Sequence, residues 1–99
     1  MIRQYDAQKL CDDKLRDLGL YQKGWRTCYD KSQSDLAKCW YDEKRIQISL
    51  LYLNGCSEPE LKKTIIHECA HALLPPEHGH DRVWFDKCIE LGDPDPKPC

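Results

Sequence analysis

The sequence predicts an α+β fold: an N-terminal helix, a three-stranded antiparallel sheet, a central helix and a closing C-terminal helix. Three observations support this fold class. The first segment repeats apolar residues at helical spacing, the middle alternates apolar and polar residues, and a long helical pattern runs between a capping serine and a double proline. Because 99 residues is the size of one domain, we expect a single domain over residues 1–92. An extended or disordered tail follows over residues 93–99.

The first helix is predicted over residues 3–19. Apolar side chains recur there at near-helical spacing, and a glycine follows as a stop signal: Ala7, Cys11, Leu15, Leu18 and Gly19. The helix is therefore amphipathic, with one face available for a core.

The middle of the chain predicts an antiparallel meander of three strands. Trp25, Thr27 and Tyr29 alternate with polar residues, and an aromatic and apolar run follows over 36–41. A tight connection at 42–44 leads to the third strand, residues 45–51, in which apolar and polar side chains alternate again.

Two further helices are delimited by caps and prolines. Ser57 can cap the first of them, Glu60 completes a capping box, and the helix must end at Leu74 before Pro75-Pro76. Asp81 is expected to cap the last helix, residues 82–91, which Gly92 ends.

The first of these helices contains the sequence His67-Glu68-Cys69-Ala70-His71. Histidines four residues apart lie one helical turn from each other, so both imidazoles can reach one metal ion. Glu68 falls beside the metal, where a general base for a zinc-activated water belongs. The pattern predicts a metal hydrolase, and more narrowly a zinc protease.

A helical wheel strengthens this interpretation. A wheel of residues 61–74 places four polar residues in one stripe that contains nothing apolar: Thr64, His67, Glu68 and His71. Apolar residues fill the remaining circumference, so the helix is buried nearly all round. Since an unpaired buried polar group costs about 1–3 kcal/mol, the two histidines need a partner, and a metal ion would serve both.

A catalytic zinc site takes three protein ligands and leaves one position open. His78, His80 and Glu90 compete for the third ligand. His80 continues the inward stripe of Trp84 on the last helix, whereas Glu90 falls on its polar side. We favour His80.

Composition narrows the class and the location. A net charge of -2 without a basic cluster excludes a nucleic-acid footprint, and no apolar run is long enough to span a membrane. The N-terminus lacks a secretory h-region. We therefore expect a cytoplasmic protein in which most of the seven cysteines are buried or free thiols.

The chain also resembles the SprT-like metalloprotease family over residues 24–92. The resemblance rests on motifs in a fixed order: Gly24-Trp25, Cys39-x-Tyr41, Lys44-x-Ile46-x-Ile48-Ser49, TIIHECAHAL and His78-Gly79-His80-x-x-x-Trp84. It is particularly similar to compact members found in bacteriophage and bacterial genomes, which implies the host cytoplasm if the chain is phage-encoded. The resemblance implies a minimal zincin-like fold, Zn²⁺ bound by His67, His71 and His80, and Glu68 as the catalytic acid/base.

The same resemblance implies a protein or peptide substrate. The family includes Spartan, which cleaves proteins crosslinked to DNA, but here an acidic, proline-rich segment follows Gly92. We therefore expect any DNA association to be indirect, no membrane partner, and a monomer. His78, Arg82 and Tyr52 are candidates for a second donor to the oxyanion. The alternative function is a zinc-stabilised, non-catalytic protein of the same fold that binds a partner.

Overall fold

The computed structural model describes residues 2–97. Four helices and three strands make an α+β fold, in the order α1 (Gln4–Asp17), β1 (Arg26–Asp30), β2 (Ala37–Trp40), β3 (Arg45–Ser49), α2 (Leu50–Gly55), α3 (Glu58–Leu73) and α4 (Arg82–Glu90). The predicted fold class is confirmed, with two corrections in the sheet and the segment that follows it.

The sheet is mixed, so the prediction of a purely antiparallel meander is wrong. The strand order is β1-β3-β2. The predicted hairpin of β2 and β3 is present and antiparallel, but β1 pairs with β3 in parallel, with Thr27 opposite Ile46. Ile46 and Ile48 of β3 are almost fully buried. Strand β3 lies in the centre of the sheet, so β1 and β2 flank it on its two sides. The chain therefore crosses from β1 to the far edge before β2 begins.

Residues 50–55 form a helix that the sequence analysis did not predict. The third strand ends at Ser49, so the expected strand over 45–51 is too long. The Ser49 side chain accepts a hydrogen bond from the Tyr52 amide at 3.5 Å. Ser49 is therefore both the last residue of β3 and the N-cap of α2, so the helix begins where the pairing of strands ends.

The main core lies between the sheet and the helices α1 and α3. It is built from side chains that are at most a few per cent exposed, among them Ala7, Cys11 and Leu15 of α1, Ile46 and Ile48 of β3, and Leu61, Ile65 and Cys69 of α3. These three α1 residues are among the four apolar residues that the helical spacing singled out; the fourth, Leu18, is the C-cap of α1 and is partly buried. The core thus holds α3 against the sheet by its apolar arc.

A second, smaller core joins α3 to α4. Ile66 and Ala70 pack against Trp84 and Cys88, and both α4 residues are at most 1% exposed. The predicted caps are also present: Ser57 and Glu60 form the capping box of α3, and the Asp81 side chain accepts from the Trp84 amide. This second core fixes where α4 and the loop before it lie.

The three tryptophans differ in burial. Trp25 and Trp84 are 6% and 1% exposed and belong to the cores, but Trp40 is 41% exposed. Trp40 lies on the edge strand β2, and its Nε1 donates to Gln47 Oε1 at 2.9 Å. It covers the outer face of the sheet instead of filling the core.

Within residues 2–97, no helix is long and apolar enough to cross a membrane. The six cysteines of this part of the chain are all free thiols. Cys99 lies outside the described residues.

Candidate metal centre

The buried helix α3 presents two histidines on one side. His67 and His71 stand one turn apart, with ring centroids at 5.1 Å. Both side chains are only partly exposed, while the neighbouring Cys69 and Ala70 are fully buried against the cores. The polar stripe of the wheel therefore faces a cleft in the surface.

The loop between α3 and α4 brings a third imidazole to the same point. The His80 ring centroid lies 4.8 Å from that of His67 and 5.0 Å from that of His71. The two Nε2 atoms of His67 and His80 are 3.0 Å apart. One ring nitrogen from each of the three histidines lies within 4.8 Å of the others, a grouping that can hold a metal ion.

His78 and Glu90, the other candidates for the third ligand, lie outside this group. His78 Nδ1 hydrogen-bonds Asp81 Oδ2 at 2.8 Å. Glu90 is exposed and accepts from Lys87 Nζ at 2.9 Å. The structure thus brings together His67, His71 and His80, the three that the sequence favoured. Their role as ligands stays a prediction.

The Trp84 ring packs against all three histidine rings. Its ring lies 4.7 Å from the rings of His67 and His80 and 5.6 Å from that of His71, between centroids. Its Nε1 donates to the His67 carbonyl oxygen at 3.3 Å. Because Trp84 is nearly inaccessible and follows the Asp81 cap, α4 holds His80 against α3.

Glu68 lies beside the triad and is 6% exposed. Its Oε2 is 3.8 Å from His67 Nε2. Burial raises the pKa of Glu68 from 4.5 to about 7, because the charged carboxylate loses hydration. A carboxyl group with a pKa near neutrality can both accept and release a proton at neutral pH.

The same burial acts in the opposite direction on the histidines. It lowers the pKa of His67 from 6.5 to about 4, with further lowering by the adjacent His71 and His80. The pKa of His71 also falls to about 4, first through burial and then through His80. Both imidazoles are therefore neutral at physiological pH, which is the form that binds metal.

The triad opens into a cleft of about 630 Å³. One wall is the edge of the sheet, residues 34–41, and the other side includes α3, the loop 76–80 and residues Asp93 and Lys97. Strand β2 is an edge strand, and within residues 2–97 no other strand pairs with its outer side. An extended chain can reach the triad along this free edge.

Comparison with known proteins decides the family. The SprT-like family model matches residues 6–95. The chain belongs to the SprT-like family. No curated protein matched the sequence.

The fold of this SprT-like chain is shared with a metallopeptidase of known structure. It is similar to the crystal structure of the metallopeptidase zymogen of Pyrococcus abyssi, abylysin, with a TM-score of 0.71 and 20% sequence identity. The match covers 90% of this chain and 81% of that one. A likeness at this identity establishes the fold.

Sequence reasoning missed four cleft residues of the SprT-like chain. Tyr41 and Cys39 lie close enough to Glu68 for its charge to affect them; burial is the first cause that raises the pKa of each to about 12. Asp93 and Lys97 line the opposite side. The motif Cys39-x-Tyr41 was a signal for the first pair, since residues two apart in extended chain point to the same side, and Tyr41 directly follows the last residue of β2.

The three candidates for an oxyanion donor separate in the structure. His78 lines the cleft. Arg82 pairs with Asp86 at 3.0 Å on the exposed side of α4, and the Tyr52 hydroxyl hydrogen-bonds Thr64 Oγ1 at 2.7 Å. Neither Arg82 nor Tyr52 belongs to the cleft lining.

Proposed function

We propose that this SprT-like chain is a zinc metalloendopeptidase that hydrolyses peptide bonds of protein substrates. One observation carries the proposal: three imidazoles and a buried glutamate with a raised pKa meet in an open cleft beside a free strand edge. A structural metal site needs no such glutamate, whereas hydrolysis needs a base at this position.

The donor set fits zinc. Three imidazole nitrogens are a common ligand set for catalytic zinc, and those of His67, His71 and His80 lie within 4.8 Å of one another. The rings of His67 and His71 are neutral at physiological pH and need not lose a proton to bind. When bound, zinc supplies a Lewis acid that activates water and polarises the carbonyl that is attacked.

The residues of the chain supply the proton transfers. Glu68 accepts a proton from the attacking water and passes it to the nitrogen of the leaving amine. Tyr41, which shares the cleft with Glu68 and has a pKa raised to about 12, keeps its hydroxyl proton at neutral pH. We assign Tyr41 the second hydrogen bond to the developing oxyanion.

The free edge of β2 supports an extended substrate. A peptide that adds as a strand beside β2 would be held by main-chain hydrogen bonds and would pass over the triad. Recognition of this kind depends little on side chains, so the proposal predicts broad sequence tolerance. We further propose that the protein is a monomer and that it acts in the cytoplasm. Any association with DNA would be indirect, through its protein substrates.

The test is a cleavage assay with zinc-loaded protein on casein and on a DNA-binding protein, with and without single-stranded DNA. Glu68→Gln is expected to lower the rate by about 10²- to 10⁴-fold, because it removes the general base. Glu90→Gln, an exposed glutamate outside the triad, is the matched control and should keep full activity.

Absence of cleavage by wild type that carries one zinc would contradict the proposal. That result would favour the alternative function, a zinc-stabilised partner-binding protein. Stimulation by DNA in the wild type, absent in Glu68→Gln, would instead show a direct DNA link.

A further inference from the structure

The segment after α4, residues 93–97, turns back onto α3. The Asp93 amide donates to the Cys88 carbonyl oxygen at 3.0 Å, and Gly92 adopts a positive φ of 113° at this reversal. Asp93 is 5% exposed, and Pro96 is also buried. The segment therefore packs against the protein, although it belongs to neither a helix nor a strand.

Asp93 holds the shape of this segment. Its Oδ1 accepts a hydrogen bond from the Asp95 amide at 3.1 Å, and the same oxygen lies 4.0 Å from Lys63 Nζ of α3. A carboxylate in contact with both the following turn and the metal-binding helix ties one to the other. The chain is thereby directed toward the first histidine of the triad.

The segment ends at the ring of His67. Lys97 and His67 line the same cleft, and the backbone of Lys97 is a hydrogen-bond partner of the His67 imidazole. Only the carbonyl oxygen of a backbone can accept a hydrogen bond from a ring N–H, so the Lys97 carbonyl oxygen is the acceptor. Since His67 Nε2 faces His80 Nε2 at 3.0 Å, the nitrogen left for the carbonyl is Nδ1. Histidines that bind metals commonly donate their second N–H in this way, which fixes the tautomer and the ring orientation.

We infer that residues 93–97 are a positioning element of the metal site, in which the Asp93 turn holds the Lys97 carbonyl against His67 so that Nε2 is presented to the metal. The inference rests on the proposed metal binding by the triad and does not require peptidase activity. It gives this segment a function within the site.

The test measures zinc affinity by competition with a chromophoric chelator, together with the visible absorption spectrum of the Co²⁺-loaded protein. Replacing residues 93–97 by an equal length of glycine and serine should raise the zinc Kd by about 10- to 100-fold, the range seen when such partners are lost. The Co²⁺ spectrum should shift because the ligand field of His67 changes.

Point variants separate positioning from general packing. Asp93→Ala should weaken zinc binding, and Asp93→Asn should restore most of it, because the amide oxygen still accepts from the Asp95 amide. Asp95→Ala is the matched control in the same segment and should leave the zinc Kd unchanged, since the Asp95 side chain is exposed and pairs with Lys97 Nζ at 3.0 Å, and the variant keeps the amide that donates to Asp93. Circular dichroism of the metal-free proteins shows whether each variant folds. If the variant with the replaced segment does not fold, the comparison of Asp93→Ala with Asp93→Asn tests the inference.

Unchanged zinc Kd and Co²⁺ spectrum in both the segment replacement and Asp93→Ala would overturn the inference. An increase in peptidase rate without a change in zinc Kd would also overturn it, since the segment would then obstruct the cleft. If zinc affinity follows the expected order but no variant, wild type included, cleaves a protein, the inference stands and the proposed peptidase function falls.

Discussion

The two halves of the candidate site are built in different ways. His67, Glu68 and His71 come from one turn and a half of α3, and their relative positions follow from helical geometry. His80 reaches them across the double proline, through the packing of Trp84 under the triad. The α3 half thus depends on local spacing, and the His80 half depends on tertiary contacts. Variants can disturb one half at a time.

The largest effect is expected where the two halves meet. Trp84→Ala removes the largest side chain of the second core and should lower the free energy of unfolding by about 3–5 kcal/mol. Zinc affinity should fall too, since His80 loses its support while His67 and His71 keep the helix. Denaturant unfolding and chelator competition measure both quantities.

Trp40→Ala is the control for this prediction. Trp40 is 41% exposed on the edge strand, so the loss of stability should be much smaller than for Trp84→Ala. Equal losses for the two variants would contradict the role of Trp84 as the joint between the halves.

Within the α3 half we expect a smaller change in the free energy of unfolding, and a gain instead of a loss. Burial raises the pKa of Glu68 from 4.5 to about 7, so the folded state binds the extra proton between these values and stability falls as the pH rises through them. In metal-free protein, Glu68→Gln should therefore stabilise the fold at pH 8 by up to about 3 kcal/mol and change little at pH 4. Thermal unfolding across this range measures the difference.

Glu90→Gln controls for the loss of a negative charge elsewhere. Its effect on the unfolding temperature should be small at both pH values, because Glu90 is exposed. A stability gain of Glu68→Gln that does not depend on pH would show that the carboxyl group is not held neutral by burial.

The same division explains how much the sequence could predict. Caps, helix ends and the His67/His71 pair depend on neighbours within four residues. The structure has the predicted Ser57 capping box, and α3 ends at Leu73 with Leu74 as its C-cap, one residue before the predicted end. The alternation in residues 25–29 predicted a strand, but alternation does not specify the partner, so the parallel pairing of β1 could not be inferred. Domain division at residue 92 stays a prediction.

Two misses had different causes. The helix α2 carried a local signal, Ser49 before an apolar run that ends in glycine, which the continued alternation through Leu50 concealed. The contact of the Lys97 carbonyl with His67 had no sequence signal. Every residue has a main-chain carbonyl, so the sequence does not show which one the fold brings to His67. Contacts of this kind are visible only in a structure.

The smallest effect is expected at the start of α3. Ser57 Oγ accepts from the Glu60 amide at 3.3 Å, and the Glu60 side chain accepts from the Ser57 amide. Ser57→Ala should lower the free energy of unfolding by about 1 kcal/mol and leave zinc affinity unchanged, because the cap lies more than two turns before His67. Gln33→Ala, in an exposed loop and outside the cleft lining, is the control. A marked loss of zinc affinity in Ser57→Ala would show that the α3 half also depends on how its helix begins, and the contrast between the two halves would then be one of degree.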